Sequence, residues 1–294
     1  MIKCLNSRKA RSAVGSVAVL HISVMLFGLS AVLGQFLDAP AVVIAGGRVV
    51  FASLTLLIFS LATKASLKLK CKKDYALALA TGIVLAIHWT TFFQSIQCAS
   101  VAIGTITFSS FPLFLTFLEP LVFREKVRLR GVVSTLVLLL GVGITVPSFS
   151  LQDKTTLDII WGLISALSYA VMSLSNRYLS RAYDSRTICL YEQGSAAVVL
   201  LPALLIVNTH WTAQNLAGIA AMGLICTAIA HSMYVAAQRN VKAQTAGVIS
   251  GMETVYGILF AFLLLGEVPS SRELLGGAVI LGTAVVSSLT LSKS

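Results

Sequence analysis

Apolar residues run in ten stretches along this chain, at roughly 14–36, 40–63, 75–97, 100–123, 131–147, 157–179, 187–208, 215–238, 243–265 and 273–291, separated by short polar gaps. A stretch of about 20 apolar residues crosses the ~30 Å hydrocarbon core of a bilayer as a helix. The pattern therefore predicts an all-α membrane protein of ten transmembrane helices. The gaps are too short to hold a separate soluble domain, so functional residues are expected in or beside the membrane. Lys3, Arg8, Lys9 and Arg11 precede the first stretch, which contains His21 and Gln35 and exceeds the usual apolar length of a signal peptide. It reads as a retained first span.

Composition sharpens the picture. Of 294 residues, 57% are hydrophobic and only 11% are charged, well below the ~25% charged residues of soluble domains. The net charge of +11 does not imply nucleic acid, because the basic residues are dispersed among the gaps rather than gathered in one arm. Counted in alternate gaps, 19 of the 22 Lys and Arg fall on one side, only Lys154 and Arg272 fall on the other, and Arg48 lies inside a span. This bias predicts a multi-pass protein of the cytoplasmic (inner) membrane with both termini in the cytoplasm. Merging or splitting any span would scramble the alternation. The five cysteines, Cys4, Cys71, Cys98, Cys189 and Cys226, lie far apart; their spacing predicts neither a disulfide framework nor a zinc site.

A shift of 142 residues lays the second half of the chain on the first. Phe27-Gly28 falls on Tyr169-Ala170, Trp89 on His231, Phe92 on Tyr234, Pro112 on Thr254 and Glu125 on Glu267, while Gly276 and Gly277 answer Gly131 after a short insertion. Spans 1–5 thus repeat as spans 6–10, and an odd number of spans per copy makes the copies enter the membrane from opposite sides. The expected architecture is two inverted five-helix repeats (5+5), residues 1–147 and 148–294, around a central cavity. The basic segment REKVRLR of the first copy against GEVPSSRE in the second agrees with opposite membrane sides. Inverted repeats of this kind are a signature of alternating-access carriers with a site near the midplane.

The segments FSSFPLFLTFLEPLVFREKVRLRG and ISGMETVYGILFAFLLLGEV, together with Arg48 in the second span, resemble the EamA branch of the drug/metabolite transporter (DMT) superfamily. Thr254 departs from that pattern, in which many members have proline after the glutamate. The resemblance covers nearly the whole chain. It implies a bacterial secondary transporter that moves an amino acid or related metabolite, most simply as an exporter. Carriage of nucleotide-derived or drug-like solutes, or a channel or scaffold role, are the alternatives.

Ionisable groups near the bilayer centre cost about 2.5 to 3.5 kcal/mol or more, which singles out a few residues. Arg48 lies about 12 Å into its span and Glu253 about 15 Å into its own, at 1.5 Å per residue. The two either meet a substrate's carboxylate and ammonium or hold the halves together as a permanent ion pair. His88 and Trp89 share a helix face with Phe92, and His231 shares one with Tyr234. These strips either line a cavity or pack the core. Glu192, Gln193 and Tyr256 complete the candidate substrate-binding set. Glu119, about one turn from the cytoplasmic end of its span, is expected either to reach the interface or to pair with a nearby basic side chain, and His21 to be a buried, satisfied histidine. His21, His88, His231, Glu192 and Glu253 are the groups able to carry a coupling proton. Pro112, Pro120 and Pro202 are expected to kink their helices.

The chain has no HExxH, no GxSxG and no aspartate pair at membrane depth, so an enzyme is not expected. No cofactor and no metal are expected. The expected partners are a small-molecule substrate, membrane lipid and a coupling proton, and not nucleic acid.

Overall fold

The computed structural model describes residues 2–98, 101–124, 126–127, 129–145, 155–266, 268 and 270–291. Glu125, Arg128, Lys154, Glu267 and Lys293, used above as landmarks or in the charge count, lie outside them. The described residues are helical and contain no strand: α1 (Ile2–Gln35), α2 (Ala41–Ala62), α3 (Lys72–Cys98), α4 (Val101–Phe108), α5 (Phe111–Phe123), α6 (Leu129–Thr145), α7 (Thr155–Ser180), α8 (Ser185–Ile206), α9 (Ala213–Ala221), a π-helical stretch (Met222–Ile229), α10 (Ala230–Gln238), α11 (Ala243–Ser250), α12 (Met252–Leu265) and α13 (Ser271–Leu291). Six helical spans among them are long and apolar enough to cross a membrane: Gly15–Gln35, Ala41–Ala62, Lys72–Cys98, Ser185–Ile206, Ala213–Gln238 and Thr245–Leu265. Phe111–Phe123, Leu129–Gly141 and Leu274–Thr283 are shorter apolar helices. Helix α1 starts well before its apolar stretch because the preceding LNSRKARSA is rich in good helix formers.

Two of the apolar stretches are broken in the middle. The chain leaves α4 at Ser109-Ser110 and resumes as α5, with Pro112 in its first turn. There the missing N–H costs nothing, so Pro112 opens a helix rather than kinking one. Gly251 separates α11 from α12. The 142-residue shift carries Ser109 onto Gly251. It also carries Arg124, the left-handed C-cap of α5 at φ 53°, onto Gly266, the left-handed C-cap of α12 at φ 71°. Glycine takes this conformation without steric cost, whereas Arg124 must be held there. The backbone thus repeats what the sequence repeats. Pro120 and Pro202 sit inside α5 and α8, as expected.

Packing runs mainly between the two halves. Helix α2 lies along α8, α3 along α7 and α8, α1 along α10 and α12, α4 and α5 against α7, and α6 along α13. Exchanging the halves turns the α3–α7 contact into α1–α10 and the α1–α12 contact into the packing of α4 and α5 on α7. The α3–α8 approach depends on Gly82, where a Cβ would lie 2.5 Å from the Glu192 carbonyl oxygen. Outward-facing Leu54, Ile58, Leu61, Leu140, Leu205 and Leu263 are exposed, as a lipid-facing belt requires.

Near the ends of α5 and α7 the halves are joined by a buried ion pair between Glu119 and Arg177. Oε1 of Glu119 also accepts the Ala243 N–H at 2.8 Å, which satisfies an otherwise orphaned donor in the first turn of α11. The guanidinium groups of Arg177 and Arg181 lie 4.5 and 4.8 Å from the Phe123 ring centroid. Glu119 therefore pairs with a basic side chain as the sequence suggests. His21 is only half-buried, less enclosed than expected, because its turn of α1 lies at the edge of the packed interior.

Replacing Glu119 by Ala removes the acceptor shared by Arg177 and the α11 N-terminus. Breaking a buried pair in this way costs about 3 to 5 kcal/mol, so the purified Glu119→Ala protein is expected to melt well below the parent in detergent. An unchanged Tm would show that this junction does not hold the halves together.

Candidate functional site

Helix α2 is apolar apart from a few hydroxyls and Arg48, which is fully buried. A guanidinium cannot stay dry without partners, and here they come from the second half of the chain. Nε donates to Thr227 Oγ1 at 2.9 Å and Nη2 to the Cys226 carbonyl at 3.4 Å. The guanidinium carbon lies 3.6 Å from the Trp89 ring centroid and 5.3 Å from that of Phe93, close enough for cation–π attraction. Both hydrogen-bond acceptors belong to the π-helical stretch, where Thr227 Oγ1 donates to the Met222 carbonyl at 2.9 Å, five residues back. Single-turn π segments recur at functional sites. Gly223 lets this one rest on α2, since a Cβ there would sit 2.7 Å from the Arg48 carbonyl oxygen and 2.6 Å from the Phe51 Cβ. Nη1 of Arg48 is buried with no hydrogen-bond partner among the described residues.

From Trp89 a continuous set of rings leads across the interior. His88 lies 4.6 Å from Trp89, 6.0 Å from Phe92, 5.3 Å from Phe108 and 5.0 Å from Tyr169, measured between centroids. Tyr169 continues to Tyr234 at 6.0 Å, and Tyr234 to Phe27 at 5.8 Å. His88 is fixed from α7, with Nδ1 2.9 Å from Ser165 Oγ and 3.1 Å from the Ser165 carbonyl. Tyr234 accepts a hydrogen bond from Ser250 Oγ at 3.1 Å.

The two helix breaks meet beside these rings. Ser109 Oγ and Thr254 Oγ1 are 2.9 Å apart, and Thr254 also donates to the Thr105 carbonyl at 3.3 Å. Glu253 lies in the first turn of α12, buried and in neither a hydrogen bond nor an ion pair among the described residues. A negative charge there is favoured by the positive end of the helix dipole. No direct ion pair joins Glu253 to Arg48, so the two are not in the contact pair weighed from the sequence. Arg48 is held by Thr227, Cys226 and Trp89 instead.

The remaining candidates fall into two places. Glu192 and His231 are fully buried and meet with Oε2 and Nε2 3.2 Å apart. Gln193, also fully buried, has no hydrogen-bond partner for either amide atom among the described residues. Tyr256 is half-buried and packs on Gly28, where a Cβ would lie 2.8 Å from the Tyr256 Cβ. An apolar groove of about 500 Å³, lined by Val255, Leu259, Phe262, Leu274, Gly277 and Leu281, lies away from Arg48, His88 and Tyr234.

Sequence reasoning missed Tyr169, Phe108, Ser165, Thr227 and Cys189. Tyr169 was within reach, because the 142-residue shift already sets it opposite Phe27. Ser165 and Thr227 carry no such mark: nothing in the sequence distinguishes a hydroxyl that anchors a buried ring or charge from the many that bond their own helix.

Residues 15–146 and 156–289 each match the model of the EamA-like transporter family. An uncharacterized transporter of Archaeoglobus fulgidus is 22% identical over 92% of this chain and 94% of its own length. The uncharacterized transporter YxxF of Bacillus subtilis is 24% identical over 90% of this chain and 86% of its own. The pseudopaline exporter CntI of Pseudomonas aeruginosa is 24% identical over 87% of this chain and 89% of its own. A protein of known crystal structure superposes with a TM-score of 0.77 at 16% identity, covering 95% of this chain and 98% of that one.

Thr227→Val keeps the shape of the side chain but removes the acceptor of Arg48 Nε. An unsatisfied buried donor costs about 1 to 3 kcal/mol. The variant is expected to show a lowered Tm in detergent, and the loss should shrink when Arg48→Met is added. Additive losses from the two changes would mean that the contact contributes nothing.

Proposed function

Since the chain belongs to the EamA-like transporter family, and with it to the drug/metabolite transporter superfamily, we propose that it is a secondary carrier. It exports an amino acid or related metabolite across the cytoplasmic membrane by alternating access. Residues 1–147 and 148–294 form two five-helix repeats of opposite orientation, ten spans in all, with both termini in the cytoplasm. The observation that carries this reading is the meeting of the two broken helices, through Ser109 and Thr254, beside buried Arg48, Glu253 and the rings from His88 to Tyr234. Carriers bind substrate at such discontinuities, between repeats and near the midplane.

Several features give further support. The helix contacts exchange into one another when the halves are swapped, and the basic residues are biased 19 to two between alternate gaps. CntI is named as an exporter, which favours efflux here. Arg48 offers a donor to an anionic group, Glu253 an acceptor to a cationic one, and the rings an apolar wall. A zwitterion with an apolar side chain matches that set. Glu253 and His88 are the groups through which a proton would couple to transport.

Proteoliposomes test this directly: flux of a matched substrate should saturate with concentration, whereas linear flux would point to a channel. Single cysteines placed in the 124–130 and 266–273 loops are expected to react with impermeant reagent from opposite sides, and labelling from one side would defeat the inverted arrangement. Trp89→Ala and Tyr234→Ala should lower transport more than the amount of folded protein. Arg48→Gln and Glu253→Gln should each abolish transport, and the double variant should stay inactive, because no direct pair joins the two. Near-normal flux by both single variants would remove them from the site.

A further inference from the structure

Cys189, Glu192 and His231 lie together in the interior of the second repeat, all fully buried, with their potential ligand atoms within 4.8 Å of one another. Cys189 and Glu192 are three apart on α8 and so share a face. His231 is presented from α10, just after the π-helical stretch. We propose that these three side chains bind one divalent transition-metal ion of the zinc class, bridging α8 to α10.

Geometry, charge and ligand type agree. Two ligands on a tetrahedral zinc with arms near 2.0 Å stand roughly 3.3 Å apart, and the Glu192 and His231 atoms stand 3.2 Å apart. A thiolate and a carboxylate carry two negative charges, so a divalent ion leaves the site neutral, the one condition under which such a charge is tolerable in a dry interior. Thiolate and imidazole select soft or borderline metals over Mg²⁺ and Ca²⁺, which require six or more oxygens or retained water. Among the described residues Oε1 of Glu192 is buried without a hydrogen-bond partner, an uncommon state for a native polar atom, and one that a carboxylate bound to a cation relieves. Asn176, also buried, stands beside Glu192, and a fourth position on the ion is left to water or another small ligand. None of this depends on which substrate is carried, or on transport at all.

The test is titration of metal-stripped, detergent-purified protein with Co²⁺, followed by its near-ultraviolet thiolate-to-cobalt charge-transfer band. The band is expected to saturate at one ion per chain, to be displaced by Zn²⁺ and not by Mg²⁺, and to be lost in Cys189→Ser. A chain in which Cys4, Cys71, Cys98 and Cys226 are all changed to Ser should retain it, which decides the matter even if Cys189→Ser fails to fold. His231→Gln should weaken the band while leaving the protein monodisperse. The proposal is overturned if the parent chain shows no saturable band. It is equally overturned if the band survives in folded Cys189→Ser or disappears from the chain that keeps Cys189 alone.

Discussion

A polar group surrounded by hydrocarbon must find its partner inside the protein, and in this chain several of the deepest polar groups of one repeat find it in the other. Arg48 bonds Thr227, His88 bonds Ser165, Ser109 meets Thr254, and Glu119 reaches both Arg177 and the start of α11. Hydrophobic burial gives little preference for one helix arrangement over another when lipid is the solvent. These few polar junctions, with the glycines that let backbones approach, therefore fix which helices meet. Neither repeat is complete as a folding unit, because each leaves its polar groups for the other to satisfy.

The same requirement explains why the interior is chemically capable. Partners supplied from across an interface are partners that movement of that interface can exchange. Among the described residues Arg48 keeps one nitrogen unbonded, and Glu253 is buried in the first turn of α12. Glu253 stands just after the break at Gly251, and Arg48 rests against the π-helical stretch that interrupts the regular α-helical run of the second half. Arg48 in this site is held both by stacking on Trp89 and by hydrogen bonds to the π-helical stretch.

Much of this was legible in the sequence and some was not. Apolar length marked where helices lie, because the bilayer sets a single scale for every span. The 142-residue shift found the repeat, and the structure extends it to the breaks at Ser109 and Gly251 and the left-handed caps at Arg124 and Gly266. Arg48, His88, Trp89 and Tyr234 stood out by the cost of burying them. Their partners did not, since Thr227 and Ser165 are ordinary residues in helices whose rotation the sequence does not state. The π-helical stretch was equally hidden: it changes the register of α10 by a fraction of a turn, which no periodicity over so few residues reveals. That change also sets His231 opposite Cys189 and Glu192, a grouping that cysteine spacing alone argued against.

The separation of Arg48 from its acceptors has a consequence for how the protein is made. Thr227 follows Arg48 by 179 residues, and at about 5 to 20 residues per second a ribosome takes roughly 10 to 40 s to cover that distance. For that interval α2 has left the ribosome with a guanidinium at its centre and no acceptor. The nascent helix must wait in an aqueous or protein-lined setting, such as the insertion channel, or lie shallow with the arginine at the headgroups. This helix thus gains the acceptors of its buried charge only from a segment synthesised much later, and a chain truncated before the π-helical stretch leaves that charge without them.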